Sequence, residues 1–283
     1  MKMTGLTEFG LGLRIEGFSP YDSGSGSLAG STVRALLREF GVLHLVDFPD
    51  DNDVYRAFAR RFGTPEEVFP PEHRVPGHPC IRLQTNVRGL GANAGGQYWH
   101  ADGSFNQTPT SVTLLYCQEA PAEEGETLFA DMRAAYRALP DQVRRTVSGL
   151  RGSYPCREIA SRDMDRAVAM RTVTLSAQDR RRQLDQLSDF SRPLVHEDPE
   201  TGRGALRLNQ HWLRDIEGMA AAESAELLRL LYDIATDASR VHRHHWTEGD
   251  LLVWDNASVM HKAVPAAAGL RKITRRITIA GEP

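Results

Sequence analysis

The segment Tyr98-Trp99-His100-Ala101-Asp102 sets an imidazole and a carboxylate two residues apart. On a strand, residues i and i+2 point to the same side, so His100 and Asp102 would present two ligand groups together. Taken alone, such a pair serves equally as a structural hydrogen-bonded contact. A third group is offered by His261, closing the run Trp254-Asp255-Asn256-Ala257-Ser258-Val259-Met260-His261 at the end of an apolar strand. Two histidines and one carboxylate with open positions form the facial set of non-haem Fe(II) oxygenases. The bland alternative for His261 is a satisfied core histidine. A zinc hydrolase could use the same three groups, but it needs a general base, and no Glu stands in an obvious motif position.

The cluster Arg271-Lys272-Ile273-Thr274-Arg275-Arg276-Ile277-Thr278-Ile279 adds a second signal. Alternation puts Lys272, Thr274, Arg276 and Thr278 on one face and Ile277 and Ile279 on the other. Cations and hydroxyls on one side suggest a polar interior that holds an anion, and the arginine fork suits a carboxylate. A solvated edge accounts equally well for Arg271 and Arg275. In His242-Arg243-His244-His245, alternation separates His245 from the other two histidines, and the motif has no carboxylate. An exposed strand beside Trp246 is therefore expected there. No Gly-x-Ser-x-Gly elbow on a strand, Walker loop or dinucleotide fingerprint occurs.

Around these groups the apolar period gives the elements. Val33, Leu36, Leu37 and Phe40 mark a helix that stops at Gly41 and leads into a strand over 42–46, preceded by a Gly/Ser loop over 23–31. A second helix carries Val54, Phe58 and Phe62. Strands are expected over 80–84, 98–105, 111–118 and 126–130, then a helix over 133–147. The charged, Arg-rich stretch 163–190 is expected to be an insertion over the core. Strands return at 193–196 and 205–209, a helix carries Leu227, Leu228, Leu231 and Ile234, and strands follow at 241–246, 251–254 and 272–280. Strands in two blocks with helices outside suggest a β-rich antiparallel jelly roll with flanking helices.

A chain of 283 residues with 41% hydrophobic and 25% charged residues can bury a sizeable core as a single domain over 1–283. A formal net charge of -3 argues against a dedicated nucleic-acid binder. No apolar stretch reaches the ~18 residues of a membrane span, and no signal-peptide core is seen, so a soluble cytoplasmic protein is expected. Cys80, Cys117 and Cys156 fit neither a disulfide framework nor a zinc knuckle, and are expected to be reduced and packed.

From Leu36 to Gly281 the chain resembles the taurine dioxygenase (TauD/TfdA) family of Fe(II)- and 2-oxoglutarate-dependent oxygenases. The resemblance rests on Ala59-Arg60-Arg61-Phe62-Gly63, Trp99-His100-Ala101-Asp102, Gly125-Glu126-Thr127-Leu128-Phe129, Glu248-Gly249-Asp250-Leu251-Leu252-Val253-Trp254-Asp255-Asn256, His261 and Arg276-Ile277-Thr278-Ile279-Ala280-Gly281. It implies a distorted double-stranded β-helix of cupin-like kind, with a helical insertion or lid around 160–192. It also implies His100, Asp102 and His261 as ligands of Fe(II), Thr127 against 2-oxoglutarate, and O2 as the further reactant. The expected reaction oxidises, by default hydroxylates, a C–H bond of a small anionic or amino-acid-like molecule, with release of succinate and CO2. Because Asp102 is present, halogenation is not expected.

The family usually carries two arginines four residues apart on the last strand, and here the earlier position is Lys272 and the later Arg276. Either can hold the far carboxylate of 2-oxoglutarate, and a small register shift would bring in Arg271 and Arg275. Arg276 is favoured for its bidentate fork, leaving Lys272 and Arg275 for the substrate. His73, Asn209 and His211 are further candidate substrate residues, Trp212 lines the pocket or packs, and the Gly-rich loop 88–97 is a candidate lid. A homo-oligomer is also compatible with the resemblance. The competing reading is a jelly roll that binds a metal or carboxylate without turnover.

Overall fold

The alternation of apolar residues along the chain is resolved into two packed sheets in the computed structural model, which describes residues 1–21, 26–93, 95–170 and 176–281. The chain begins with β1 (Lys2–Gly5), β2 (Leu13–Glu16), α1 (Gly30–Phe40), β3 (Val42–Leu45) and α2 (Asn52–Ala59). Helix α1 ends at Gly41, whose φ of 74° favours glycine. Helix α2 starts under Asp51, whose carboxylate accepts from the N–H groups of Asp53 and Val54. Next come β4 (Arg74–Val75), β5 (His78–Thr85), β6 (Ala92–Asn93), β7 (Val112–Glu119) and β8 (Thr127–Asp131). The middle of the chain holds α3 (Met132–Ala138), α4 (Asp141–Ser148), β9 (Arg151–Tyr154), α5 (Cys156–Ala169) and α6 (Ala177–Asp185). It continues through β10 (Phe190–Pro193), β11 (Val195–Glu197), β12 (Gly204–Leu206), β13 (Asp215–Ile216) and α7 (Ala221–Ala235). The last strands are β14 (Val241–His244), β15 (Leu251–Asp255), β16 (Val259–Ala263) and β17 (Ile273–Ile279).

The large sheet runs β1-β2-β3-β15-β7-β17-β5-β4, with β6 beside β5, and the facing sheet runs β14-β8-β16. Between them Leu115 and Cys117 of β7 and Leu252 and Trp254 of β15 meet Phe129 of β8 and Val259 of β16. The period of two sends the alternate residues Leu114, Tyr116, Leu251, Val253, Ile277 and Ile279 to the outer face, where Val33, Leu37, Tyr55 and Phe58 of α1 and α2 cover them. Each fully buried side chain of this size contributes about 1.5–3 kcal/mol by leaving water. A third core joins α3, α7, Trp99 and the small strands β9 and β12. This is the jelly roll with flanking helices that the sequence pattern predicted, and the three cysteines are buried free thiols.

Several elements differ from expectation. Residues 98–105 form no strand; His100 makes an isolated bridge to His261 and the chain then turns. The expected helix over 133–147 is two, because Pro140 cannot continue the ladder and Leu139 takes extended geometry before it. The helix expected to carry Phe62 ends at Ala59, and strand 205–209 stops at Leu206. The helical stretch begins earlier than expected, with α5 from Cys156, and residues 171–175 lie outside the described residues, as do 23–25 of the expected Gly/Ser loop and 94 of the Gly-rich loop.

The His242–His245 segment lies at the edge strand β14 with Arg243 and His245 exposed, but the expectation of an exposed strand fails at His244. His244 is buried beside His44, whose Nε2 lies 2.7 Å from Asp250 Oδ1, and its own Nε2 lies 3.4 Å from Asp250 Oδ2. The carboxylate partner came from a distant part of the sequence, which a motif-length view could not supply.

Candidate metal centre and its cavity

His100 and His261 are joined by two backbone hydrogen bonds, His100 N to His261 O at 3.0 Å and His261 N to His100 O at 2.8 Å. This bridge brings their rings to 4.1 Å between centroids. The turn after His100 carries Asp102 back over both rings, so that each imidazole Nε2 lies 3.8 Å from a different carboxylate oxygen. The turn needs Gly103: its φ is +64°, and a Cβ would meet Thr110 Oγ1 at 2.4 Å. Proximity of His100 and Asp102 thus comes from a bridge and a turn, whereas the alternation of a regular strand was expected to supply it.

The surrounding bonds fix the donor atoms. His100 Nδ1 lies 2.8 Å from Tyr98 O; as a donor it leaves the Nε2 lone pair free for a metal. Asp102 accepts from Thr113 Oγ1 at 2.8 Å and from Arg276 Nη1 at 3.0 Å. Asn256 completes the frame: its Oδ1 accepts from Asp102 N and Trp254 Nε1, and its Nδ2 donates to Thr113 Oγ1. Burial pushes His261 down to about 3, with the His100 imidazole beside it acting in the same direction. Burial also lowers His100. For Asp102 burial would raise the carboxyl, but Arg276, the two imidazoles and the Thr113 hydroxyl hold it well below the usual range. Two neutral imidazoles and one ionised carboxylate, converging within 4.8 Å, are the donor set a divalent cation requires.

These groups open on a cavity of about 1140 Å³. One wall is the polar face of β17, with Lys272, Thr274, Arg276 and Thr278 all lining it as alternation predicted. Thr127 lines it from β8, and its hydroxyl accepts from Trp246 Nε1 at 3.0 Å. The Lys272 ammonium lies 5.1 Å from the centre of the Trp246 ring and donates to Gly125 O; burial lowers it to about 8. Met164 of α5 and Arg182 and Gln183 of α6 also line the cavity. From the Gly-rich loop, Gly95 and Gly96 reach the wall, and a Cβ on Gly96 would meet His100 Cε1 at 2.5 Å.

The substrate candidates divide. His73 and Asn209 line the cavity. Asn209 is held in the loop it caps, accepting from His211 N and Trp212 N and donating to Ser104 Oγ. Trp212 lines the cavity and packs 5.3 Å from the Phe105 ring. His211 is not on the described wall; its Nε2 lies 2.6 Å from Asp163 Oδ2 and its ring stacks on Tyr98. Arg275 is not a cavity residue either. The same alternation that aims Arg276 inward sends Arg275 to the outer face, where it lies over the Tyr116 ring and binds Asp50 and Asn52. Arg271 is exposed and paired with Glu119, as a solvated edge would have it. Missed from sequence were Arg82 on β5, in register with Arg276, and the Thr113–Asn256 frame around Asp102. Asn256 stood in a quoted motif, but nothing in its spacing gave the contact to Thr113.

A jelly roll with two histidines and a carboxylate opening on a cation-lined cavity is the architecture of a non-haem iron oxygenase. The profile of the taurine catabolism dioxygenase TauD, TfdA family matches residues 5–278. An (S)-phenoxypropionate/alpha-ketoglutarate-dioxygenase from Sphingobium herbicidovorans is 31% identical over 246 residues, covering 84% of this chain and 83% of that protein. An alpha-ketoglutarate-dependent 2,4-dichlorophenoxyacetate dioxygenase from Cupriavidus pinatubonensis is 31% identical over 271 residues, 89% of each chain. Among solved structures, a taurine dioxygenase from Burkholderia xenovorans superposes with a TM-score of 0.79 at 23% identity, over 99% of this chain and 89% of that one. AAD-2 in complex with Mn(II) and N-oxalylglycine gives 0.77 at 24% identity, over 100% and 98%.

The chain belongs to the TauD/TfdA family. It is an Fe(II)- and 2-oxoglutarate-dependent dioxygenase that consumes O2, and binding without turnover is not favoured. No described helix is long and apolar enough to cross a membrane.

Proposed function

We propose that His100, Asp102 and His261 hold the Fe(II), that Thr127 and Lys272 hold the far carboxylate of 2-oxoglutarate, and that Arg276 receives an anionic group of the substrate. The observation that carries this reading is the spread of cations along one strand face from the His–Asp–His cluster. Arg276 touches the Asp102 carboxylate itself. Lys272 sits four residues along, about 13 Å of extended chain away, against Trp246 and thus beside the Thr127 hydroxyl. The distal carboxylate of a chelated five-carbon keto acid needs a cation removed from the metal, and Lys272 has that place. This departs from the preference for Arg276 drawn from its fork alone.

When bound, Fe(II) with 2-oxoglutarate and O2 supplies the oxidising power, and the cosubstrate leaves as succinate and CO2. The protein's own residues position and exclude. Thr113 and Asn256 hold the Asp102 carboxylate in one orientation. Trp246, by donating to Thr127 Oγ1, leaves the threonine hydrogen free to donate to a carboxylate. Helices α5 and α6 narrow the mouth over the site and keep bulk water from the reacting carbon. The substrate is a small organic anion, in keeping with the phenoxypropionate and dichlorophenoxyacetate in the names of its relatives. The whole chain works as one catalytic unit, and its three free buried thiols suit a reducing, cytoplasmic compartment.

The test is anaerobic addition of Fe(II) and 2-oxoglutarate, with the weak visible charge-transfer band of the chelate as readout and succinate release on admitting air. The band should form in the wild type, vanish in His261→Ala that remains folded, and weaken in Lys272→Met with iron binding intact. A band that survives His261→Ala overturns the ligand set, and one unchanged in Lys272→Met overturns the cosubstrate anchor.

A further inference from the structure

Arg82 is a half-buried cation with no carboxylate hydrogen-bonded to it among the described residues. It stands on β5 directly opposite Arg276 of β17 and lines the same cavity. Its Nε is buried with no hydrogen-bond partner, and the bond recorded for its guanidinium is a long one, 3.4 Å from Nη2 to His73 Nδ1. Burial, with the neighbouring Arg276, pushes it down to about 10, and the carboxylate that acts against this is Asp102, already engaged by Arg276. Glu66 and Glu67 share the wall but are turned to Thr110 and Arg74. A guanidinium whose Nε is buried without an acceptor is destabilised unless a ligand supplies one.

Formal charges say how much ligand charge is missing, given the reading above. Fe(II), the Asp102 carboxylate and the two carboxylates of 2-oxoglutarate sum to a single negative charge, which Lys272 cancels. Among the groups at the iron and on the facing strands β5 and β17, Arg82 and Arg276 then remain as two uncompensated positive charges; the wall carboxylates Glu66 and Glu72 stand on other segments, outside this count. Residues directly opposite on antiparallel strands have Cα atoms about 4.5–5.5 Å apart, so the two forks are set to grip one group. We propose that Arg82 and Arg276 together form a subsite for a doubly charged oxyanion, so that the preferred substrate carries a phosphate-monoester or phosphonate group, with His73 at its side. Two planar forks offer it up to four charge-assisted hydrogen bonds, where a singly charged group would leave one guanidinium uncompensated.

This inference rests on the proposed placement of iron and 2-oxoglutarate, and the experiment separates the two. The protein is loaded anaerobically with Fe(II) and 2-oxoglutarate at pH 8, and the chelate band is recorded before any probe is added. Phenyl phosphate and phenyl sulfate, alike in shape and differing by one charge at this pH, are then titrated by calorimetry. Absence of the band fails the iron and cosubstrate reading and, with it, the charge count. With the band present, phenyl phosphate should bind at least about tenfold more tightly than phenyl sulfate, the scale of one charged hydrogen bond. Arg82→Gln should bring that ratio to about one while leaving the band unchanged, and Arg82→Lys should keep part of it. Equal affinities in the wild type, or a ratio unchanged in Arg82→Gln, would overturn the subsite. So would a loss of 2-oxoglutarate affinity in folded Arg82→Gln, since Arg82 would then serve the cosubstrate.

Discussion

In the proposed site Asp102 has two tasks, to bind a cation and to stay in one orientation, and the second falls to residues outside the proposed ligand set. Thr113 donates to its Oδ2 and is itself held by Asn256. Thr113→Val keeps the shape and removes the donor, and should weaken Fe(II) affinity by about 10–100-fold, measurable by competition with a chelator. Trp246 stands in the same relation to Thr127. Trp246→Phe removes one N–H, so the KM for 2-oxoglutarate should rise several-fold with kcat little changed; an unchanged KM would separate that hydrogen bond from cosubstrate binding. Lys272 gives a pH dependence of definite sign. Its ammonium, lowered by burial to about 8, is charged below that pH and neutral above it. Affinity for 2-oxoglutarate should therefore fall as pH rises through and beyond 8, later in the complex because the bound carboxylate raises the ammonium again. Lys272→Arg should abolish the dependence.

At the scale of the element, β17 shows how one strand serves two purposes. Its even-numbered residues face the cavity and its odd-numbered residues face the core under α1 and α2. Ile277 is fully buried on the outer side. Ile277→Ala should cost about 2–5 kcal/mol of stability and leave 2-oxoglutarate affinity unchanged, checked by denaturant unfolding beside a chelate titration. The same parity explains why Arg275, though adjacent to Arg276, belongs to an ion pair with Asp50 and not to the active cavity. The loop before His100 is constrained differently. Gly96 has φ +80° and lies against the His100 ring. Gly96→Ala should displace that ring and lower iron affinity, with thermal stability serving as the control.

For the molecule as a whole, the site stands between two sheets whose separation is set by large side chains. Trp254 is buried in that interface, lies 5.4 Å from Phe129 and 4.7 Å from His261 between ring centres, and donates to Asn256. Trp254→Ala should cost about 3–5 kcal/mol and weaken iron binding as well, because one residue fills the core and steadies the ligand frame. A variant that lost stability alone would show the frame to be independent of the sheet spacing. The insertion belongs to this scale too. Substitutions on its cavity side, such as Met164→Ala, should alter substrate affinity while leaving the 2-oxoglutarate chelate intact.

The sequence by itself determined the jelly roll, the three residues His100, Asp102 and His261 that converge as candidate ligands, and the polar face of the last strand. Each of these follows from a local period or from motifs in a fixed order, and both survive without knowledge of distant contacts. Tertiary structure alone added Arg82 to the cations that face the cavity and gave Arg275 its partner. Arg82 and Arg276 lie far apart in the chain and meet only through strand pairing, while Asp50 reaches Arg275 by way of the loop before α2. It likewise decided that His44, His244 and Asp250 form a buried cluster where an exposed strand was expected. Local spacing fixes the direction of a side chain relative to its own strand, but what stands opposite it is set by register and sheet order, which are properties of the packed chain.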